Sequence, residues 1–398
     1  MSFATVTAPA PRALAVVAVG LLGLASAMGI GRFAFTPLLP LMEQNGQLDL
    51  AQGAWLAAAN YLGYLLGALA CARWPMPPAA VARGGLVGVA VFTLAMGSGG
   101  GFVVWLAWRL LAGAASALVL VGVSAWALQS LASLQRPGWA GAVFAGVGSG
   151  IALAGLVGLG TALSHQSPEL AWRLLGVLAA LVAVVAWRSF APSAGRSDPP
   201  VSSSAGPGLH GKTWRLVVAY GAFGYGYILP ATFLPAMARQ QFADPALFGV
   251  VWPLFGLAAA VSTLVAPRVS RNASPRALWS TAQLVMAAGV VLPVLSSSLG
   301  ALLLSAVCVG GTFMVVTMAG MQQARLVAGA AAPQLMAAMT AAFAAGQLLG
   351  PLTIGPLGGE GLTTRDSVPF GASLVASAVL VAGAALLMDL SQKRNVRR

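Results

Sequence analysis

The sequence predicts an all-α polytopic membrane protein with twelve transmembrane helices in two pseudo-symmetric bundles of six. Charged residues make up only 7% of the 398-residue chain, hydrophobic residues make up 59%, and long apolar runs recur along it. Soluble proteins carry roughly 25% charged residues because their surfaces face water. Together with a mean hydropathy of +0.86, this composition excludes a soluble enzyme and a disordered chain.

Each apolar run is long enough to be a membrane-spanning helix, which needs about 20 residues. The runs are continuous rather than alternating, and this favours helices over barrel strands. We predict spans 1 to 12 at residues 13–42, 52–72, 84–100, 103–131, 139–163, 171–190, 214–240, 247–266, 277–297, 300–324, 334–357 and 367–388. The first run is longer than the apolar region of a signal peptide, so we expect it to stay as span 1.

The basic residues predict the orientation of the chain. Sixteen Lys and Arg residues flank the spans on the side of the N-terminus, and three flank them on the other side. Because basic loops stay in the cytoplasm, both termini are predicted to be cytoplasmic, in a bacterial inner membrane. The net charge of +13 is then explained by basic residues in the cytoplasmic loops. The sequence has no basic patch interleaved with aromatic residues, so we predict no nucleic-acid partner. We expect a lipid-embedded monomer.

A polar segment at residues 191–213 follows span 6 and is rich in Pro, Gly and Ser, a composition typical of a flexible linker, here on the cytoplasmic side. It predicts a six-helix bundle at 1–190 and a second at 214–398, which ends in a basic cytoplasmic tail. The two halves also share a pattern. An offset of 195 aligns Gly29, Gly31, Leu39, Pro40 and Met42 of span 1 with Gly224, Gly226, Leu234, Pro235 and Met237 of span 7. Such matches at a constant offset indicate two parallel repeats.

Several segments carry a family resemblance. The runs at 29–40 (GIGRFAFTPLLP), 59–67 (ANYLGYLLG) and 225–235 (YGYILPATFLP) resemble the YbfB/YjiJ-type branch of the major facilitator superfamily. Trp108-Arg-Leu-Leu-Ala-Gly113 is similar to the span-4 motif of that superfamily. The resemblance implies the major facilitator fold and an alternating-access transporter. It also implies that Arg109 is the motif arginine, with either a coupling or a structural role.

Two charged residues, Arg32 and Arg109, lie well inside the predicted spans; the other basic residues lie in loops, in tails or within three residues of a span end, and the eight acids lie in loops, tails or at helix ends. Arg32 lies about 7 Å from the middle of span 1 at 1.5 Å per residue, a depth at which a lipid-facing arginine is costly. We therefore predict that it faces a polar cavity and binds an anionic group of the substrate; the alternative is a fixed bond to carbonyls or to a neighbouring span. Gly29 and Gly31 allow close helix approach, and Pro37 and Pro40 weaken the helix just beyond.

Other polar residues are predicted to complete the substrate site. Tyr227 matches position 32 in the second repeat and is expected on the opposite wall. Asn60 and Tyr64 share one face of span 2, and Gln347 lies in span 11, where cavity lining and helix–helix hydrogen bonding are both open. Glu43, at the outer end of span 1, is either a coupling acid or an interfacial loop charge.

These observations predict a secondary active transporter of a small organic molecule, and favour an organic anion moving with a proton or in exchange for another anion. The alternatives are efflux of amphiphilic drug-like compounds and a non-coupled facilitator. No nucleophile with a base, no metal-ligand spacing and no cofactor motif is visible, so we predict neither an enzyme nor a cofactor.

Overall fold

The computed structural model describes residues 10–74, 76–190, 213–269, 273–329 and 332–354. Within these ranges, eleven helices are long and apolar enough to cross a membrane, in agreement with predicted spans 1 to 11. Predicted span 12, the tail after it and all but the last residue of the linker lie outside the described residues.

Span 1 is built from three pieces: an α-helix at Ala10–Leu24, a π-helix at Ala25–Arg32 and an α-helix at Phe35–Gln44. Spans 2 to 6 are the helices Leu50–Arg73, Pro78–Met96, Gly101–Ser133, Ala140–Leu163 and Pro168–Trp187. Spans 7 to 11 are the helices Trp214–Gln241, Val251–Val269, Pro275–Leu295, Leu299–Ala328 and Ala332–Ile354. Short helices at Pro137–Trp139 and Pro245–Phe248 precede spans 5 and 8.

Side-chain caps define several helix starts. The Asp49 carboxylate accepts a hydrogen bond from the backbone N–H of Gln52, and the Gln52 side chain accepts one from the N–H of Asp49. This reciprocal capping box satisfies backbone donors that a helix start leaves without partners. Ser274 and Ser298 cap spans 9 and 10 in the same way with one bond each.

The predicted start of span 3 at residue 84 is wrong, because the helix begins at Pro78. Arg83, one residue before that predicted start, lies in the second turn of the helix. Its Nε donates to the Trp187 carbonyl at 3.0 Å, and its guanidinium lies 5.2 Å from the centre of the Trp187 ring. A long arginine side chain thus carries its charge to the end of span 6, which a count of apolar residues does not detect.

The spans pack into two sets that touch along three seams. Spans 1 to 6 contact one another, as do spans 7 to 11, and the sets meet where span 1 packs on span 7, span 2 on span 11 and span 5 on span 8. Glycines permit the closest approaches: a Cβ on Gly148 would lie 2.2 Å from the Ala260 nitrogen, and one on Gly256 would lie 2.2 Å from the Ala152 nitrogen. Spans 5 and 8 therefore touch backbone to backbone.

The two sets of helices are in close contact at one end. We define the near side as the side on which spans 1 and 7 begin, and the far side as the side on which they end. Residues 23–42 of span 1 and 226–236 of span 7 are all buried, and the last helix of span 1, Phe35–Gln44, packs on span 7. The two sets of helices are therefore closed against each other toward the far side.

Candidate functional site

The site begins with the irregular backbone of span 1. In the π-helix Ala25–Arg32 each turn holds an extra residue, and the Phe33 N–H donates to the Met28 carbonyl at 3.0 Å. Pro37 has no N–H to give to the Phe33 carbonyl, which instead accepts from Thr36 N–H at 3.2 Å. The Arg32 carbonyl is thereby left to another partner. The sequence predicted that the helix is weakened at Pro37 and Pro40, whereas the irregular backbone lies before them, in the π-helix.

Arg109 binds the freed carbonyls. Its Nη2 donates to the Arg32 carbonyl at 3.0 Å and its Nη1 donates to the Gly31 carbonyl at 3.4 Å. The guanidinium also lies 4.9 Å from the centre of the Phe35 ring. Arg109 is therefore bonded to the end of the π-helix, the turn from which the Arg32 side chain projects, and this geometry favours the structural one of its two possible roles.

Asn60 has a similar role. Its side chain is fully buried and its Nδ2 donates to the Arg109 carbonyl at 2.9 Å and to the Gly31 carbonyl at 3.3 Å. These bonds join spans 1, 2 and 4. Of the two possibilities that the sequence left open for Asn60, the geometry favours helix–helix hydrogen bonding.

Arg32 lies at the centre of the site and is only 2% exposed. Its Nη2 donates to Gln347 Oε1 of span 11. Its Cζ lies 4.0 Å from the centre of the Tyr64 ring and 5.1 Å from that of Tyr61, both in span 2. Its buried Nε has no hydrogen-bond partner among the described residues. Arg32 is thus surrounded by aromatic faces and retains donor capacity.

Gln347 connects the two positions that the repeat relates. Its Oε1 accepts from Arg32 and its Nε2 donates to the Tyr227 hydroxyl at 2.6 Å. Positions 32 and 227, which the sequence places on opposite walls of a cavity, are thus linked here through the side chain of Gln347. The Tyr227 ring stacks between Phe313 and Phe343, at centroid distances of 5.6 and 5.7 Å.

Two more hydroxyl contacts close the site toward the far side. Tyr61 and Thr232 share a hydrogen bond of 2.8 Å, and the Thr36 hydroxyl donates to the Ala231 carbonyl at 3.0 Å. Residues 36 and 231 are related by the same repeat offset of 195. Both bonds join spans of the first set to span 7.

Sequence reasoning missed the contributions of Tyr61, Thr36, Thr232, Phe313 and Phe343. The phenylalanines lie in continuous apolar runs, where a ring facing a site looks the same as one packing against a helix. Only the offset of 195 that links position 36 to 231 could have drawn attention to Thr36.

Glu43 stands apart from this cluster. It lies eleven residues after Arg32, about 16 Å along a helix at 1.5 Å per residue, and is half-buried at the far end of span 1. Its electrostatic neighbours are Arg239 and Asp49, also at that end. Among the described residues, no group of three or more His, Cys, Asp or Glu could hold a metal ion.

We expect Asn60→Leu to lower the stability of the protein without removing its transport activity. The change keeps the branched shape and the number of side-chain heavy atoms but removes the two N–H donors to backbone carbonyls, a loss of about 1–2 kcal/mol. Thermal unfolding in detergent measures the first effect, and transport per folded molecule measures the second. A loss of ligand binding greater than the loss of folded protein would instead place Asn60 in the binding site.

Comparisons with known proteins agree with this architecture. Residues 24–388 match the family described as uncharacterised MFS-type transporter YbfB. No curated protein matches the chain significantly.

Solved structures share the fold at low sequence identity. A bacterial homolog of the human lysosomal transporter Spinster, inward-facing and unoccupied, has a TM-score of 0.75 and 17% identity over 97% of this chain and 98% of its own. The occupied form of that homolog gives 0.74 and 16% over the same shares. A variant of the nucleoside transporter NupG gives 0.69 and 14% over 93% of this chain and 98% of its own. The chain therefore has the major facilitator fold and belongs to the YbfB family of MFS-type transporters, as a multi-pass membrane protein that acts on a small-molecule substrate and is not an enzyme.

Proposed function

We propose that this transporter moves a small organic anion across the bacterial inner membrane by secondary active, alternating-access transport. The observation that carries the proposal is the Arg32 guanidinium, which is buried between the two sets of helices and pairs with a neutral amide rather than a carboxylate.

The charge balance of the site supports an anion. Arg32 and Arg109 are both 2% exposed. The acids among the described residues are Glu43, Asp49, Glu169 and Asp244, which all lie at or beyond the far ends of the spans and are half-buried or exposed. A buried cation without a counter-charge is unfavourable, and a carboxylate or phosphate that forms two parallel bonds with a guanidinium relieves this cost.

The aromatic surroundings favour a ring-bearing or hydroxylated anion. Tyr64 presents its face to Arg32, and Tyr227 offers a hydroxyl at the other end of Gln347. The stack of Tyr227 with Phe313 and Phe343 also supports a second candidate, efflux of amphiphilic drug-like compounds, in which ring contacts would matter more than Arg32.

The mechanism rests on a division of the chain into bundles at 1–190 and 214–398, joined by the linker 191–213. The seams between spans 1 and 7, 2 and 11, and 5 and 8 are where these bundles would rock. With both termini cytoplasmic, the closed far side is the external side. Glu43, outside the central cluster, is a candidate for proton exchange at the external end, and without coupling the protein would be a facilitator.

We expect the purified protein to be stabilised against heat by organic acids more than by sugars or amphiphilic cations. In proteoliposomes, the aromatic hydroxy-acid 4-hydroxybenzoate should show saturable uptake and counterflow, whereas neutral 4-hydroxybenzyl alcohol should show neither. Stabilisation by amphiphilic cations alone would favour the drug-efflux candidate, and flux without saturation or counterflow would contradict a carrier.

A further inference from the structure

The Arg32–Gln347 hydrogen bond crosses between the two sets of helices. Arg32 belongs to span 1 and Gln347 to span 11, and the two side chains are 2% and 1% exposed. Because the Gln347 nitrogen donates to the Tyr227 hydroxyl at 2.6 Å, its oxygen is directed to Arg32. The orientation of the amide is therefore fixed by a residue of its own set.

A glutamine amide oxygen resembles one oxygen of a carboxylate. Both are planar sp² acceptors, but the amide is neutral and offers a guanidinium one acceptor where a carboxylate offers two. In this structure, Gln347 accepts from one Nη of Arg32, while the buried Nε has no hydrogen-bond partner among the described residues. The bond is thus weaker than the one that an anionic ligand would make at the same place.

We propose that Gln347 is an internal placeholder for the substrate: its amide oxygen occupies, on Arg32, the position that the anionic group of the substrate takes. This inference rests on the proposed anion function. When the substrate binds Arg32 it displaces the Gln347 oxygen, and the bond that joins span 1 to span 11 is lost. Anion binding is thereby coupled to separation of the two sets of helices.

The contacts of Tyr227 would keep the Gln347 side chain in place after a substrate displaces it from Arg32. Tyr227 is held by ring contacts to Phe223, Phe313 and Phe343, all within the second set of helices. Once released from Arg32, Gln347 keeps its bond to Tyr227 and stays on its own side of the seam. The repeat-related positions 32 and 227 then form the two walls of an open site.

Two substitutions separate a placeholder from an ordinary substrate contact. Gln347→Met keeps the length of the side chain but removes its competing oxygen, so 4-hydroxybenzoate should bind about tenfold tighter. Gln347→Glu puts a permanent carboxylate on Arg32, so binding should be lost. The control is Gln323→Met, the same change at a half-buried glutamine of span 10, with no expected change. Weaker binding to Gln347→Met would overturn the placeholder.

A measurement without ligand tests the bond between the two sets directly. Positions 44 and 240 are exposed at the far ends of spans 1 and 7. In a protein whose Cys71 and Cys308 are replaced by Ser, spin labels on Gln44→Cys and Gln240→Cys would report the distance between these two helix ends. We expect a short distance in the otherwise unchanged protein, a population of longer distances with Gln347→Met, and only the short distance with Gln347→Glu. Identical distributions in all three proteins would contradict the inference.

The two proposals fail in different ways. If Arg32→Ala abolishes binding of 4-hydroxybenzoate while Gln347→Met changes neither affinity nor distance, the anion function stands and the placeholder is wrong. If no organic anion binds the unchanged protein, the anion function fails whatever the label distances show, and the placeholder fails with it.

Discussion

Arg32→Ala should abolish saturable uptake of 4-hydroxybenzoate into proteoliposomes and weaken its binding by about 100-fold or more, because two charge-assisted hydrogen bonds to a buried anion are lost. Arg32→Lys should restore little of this, because an ammonium cannot form two parallel bonds to a carboxylate. Isothermal titration or microscale thermophoresis measures the affinity, and radiolabelled uptake measures the transport.

The control for this experiment is Arg83→Ala, which removes the same charge from the start of span 3, where Arg83 contacts Trp187. Its uptake should remain near that of the unchanged protein. Folding is a further check. Arg32→Ala leaves a cavity and removes the donor to the Gln347 oxygen, so we expect a lower unfolding temperature with a cooperative transition, and uptake is compared per folded molecule. Normal uptake by a folded Arg32→Ala protein would rule out the anion site.

Gly150→Ala should strongly destabilise the protein and reduce anion binding as well. A Cβ at position 150 would lie 2.3 Å from the Ala25 carbonyl oxygen and 2.6 Å from the Ala25 Cα, both in the backbone of span 1. These atoms cannot rotate away, so span 5 must move outward and distort the π-helix that ends at Arg32. Overpacking of this kind costs about 3 kcal/mol, and thermal unfolding in detergent measures it.

Gly160→Ala provides a matched control in the same helix. A Cβ at position 160 would meet no atom within 4 Å, and replacing a helical glycine with alanine gains up to about 1 kcal/mol from helix propensity alone. We therefore expect this variant to be at least as stable as the unchanged protein. Equal unfolding temperatures for the two variants would show that the contact between spans 1 and 5 tolerates a methyl group.

Much of the fold could be predicted from the sequence, because membrane insertion imposes simple rules. Hydropathy predicted spans 1 to 11, and the resemblance to a known transporter branch predicted their arrangement, which the family match and the structural neighbours confirm. The start of span 3 was wrong because Arg83 crosses the surface of a neighbouring helix to reach the end of span 6. The hydropathy of the residues around Arg83 does not reveal such a contact, because its partner lies in another helix.

The candidate site could be predicted in part. The repeat predicted that positions 32 and 227 face one cavity from opposite walls, which stays a prediction, and the low content of charged residues singled out Arg32 and Arg109. The π-helix was not predictable, because it depends on Gly150 in another span and on carbonyl bonds from Arg109. The ring stack around Tyr227 was not predictable either, because a buried phenylalanine has the same pattern whether it lines a site or only packs.

One pair of helix contacts has a consequence for how this architecture could change its specificity. In the first half, a Cβ on Gly113 would lie 2.0 Å from the Asn60 carbonyl oxygen; in the second half, one on Gly310 would lie 2.4 Å from that of Phe255. Positions 60 and 255 differ by 195, the repeat offset, and the two glycines differ by 197. A similar backbone joint therefore carries a polar side chain in one half and an aromatic ring in the other.

Glycine and backbone atoms bring the two helices together in each half. The side chain opposite the glycine then stabilises the joint in a different way: Asn60 donates to the Gly31 and Arg109 carbonyls, whereas Phe255 stacks on Phe313. The duplicated halves thus share one way of joining helices but have diverged in the forces that hold it, so the same type of substitution should disturb the two halves differently.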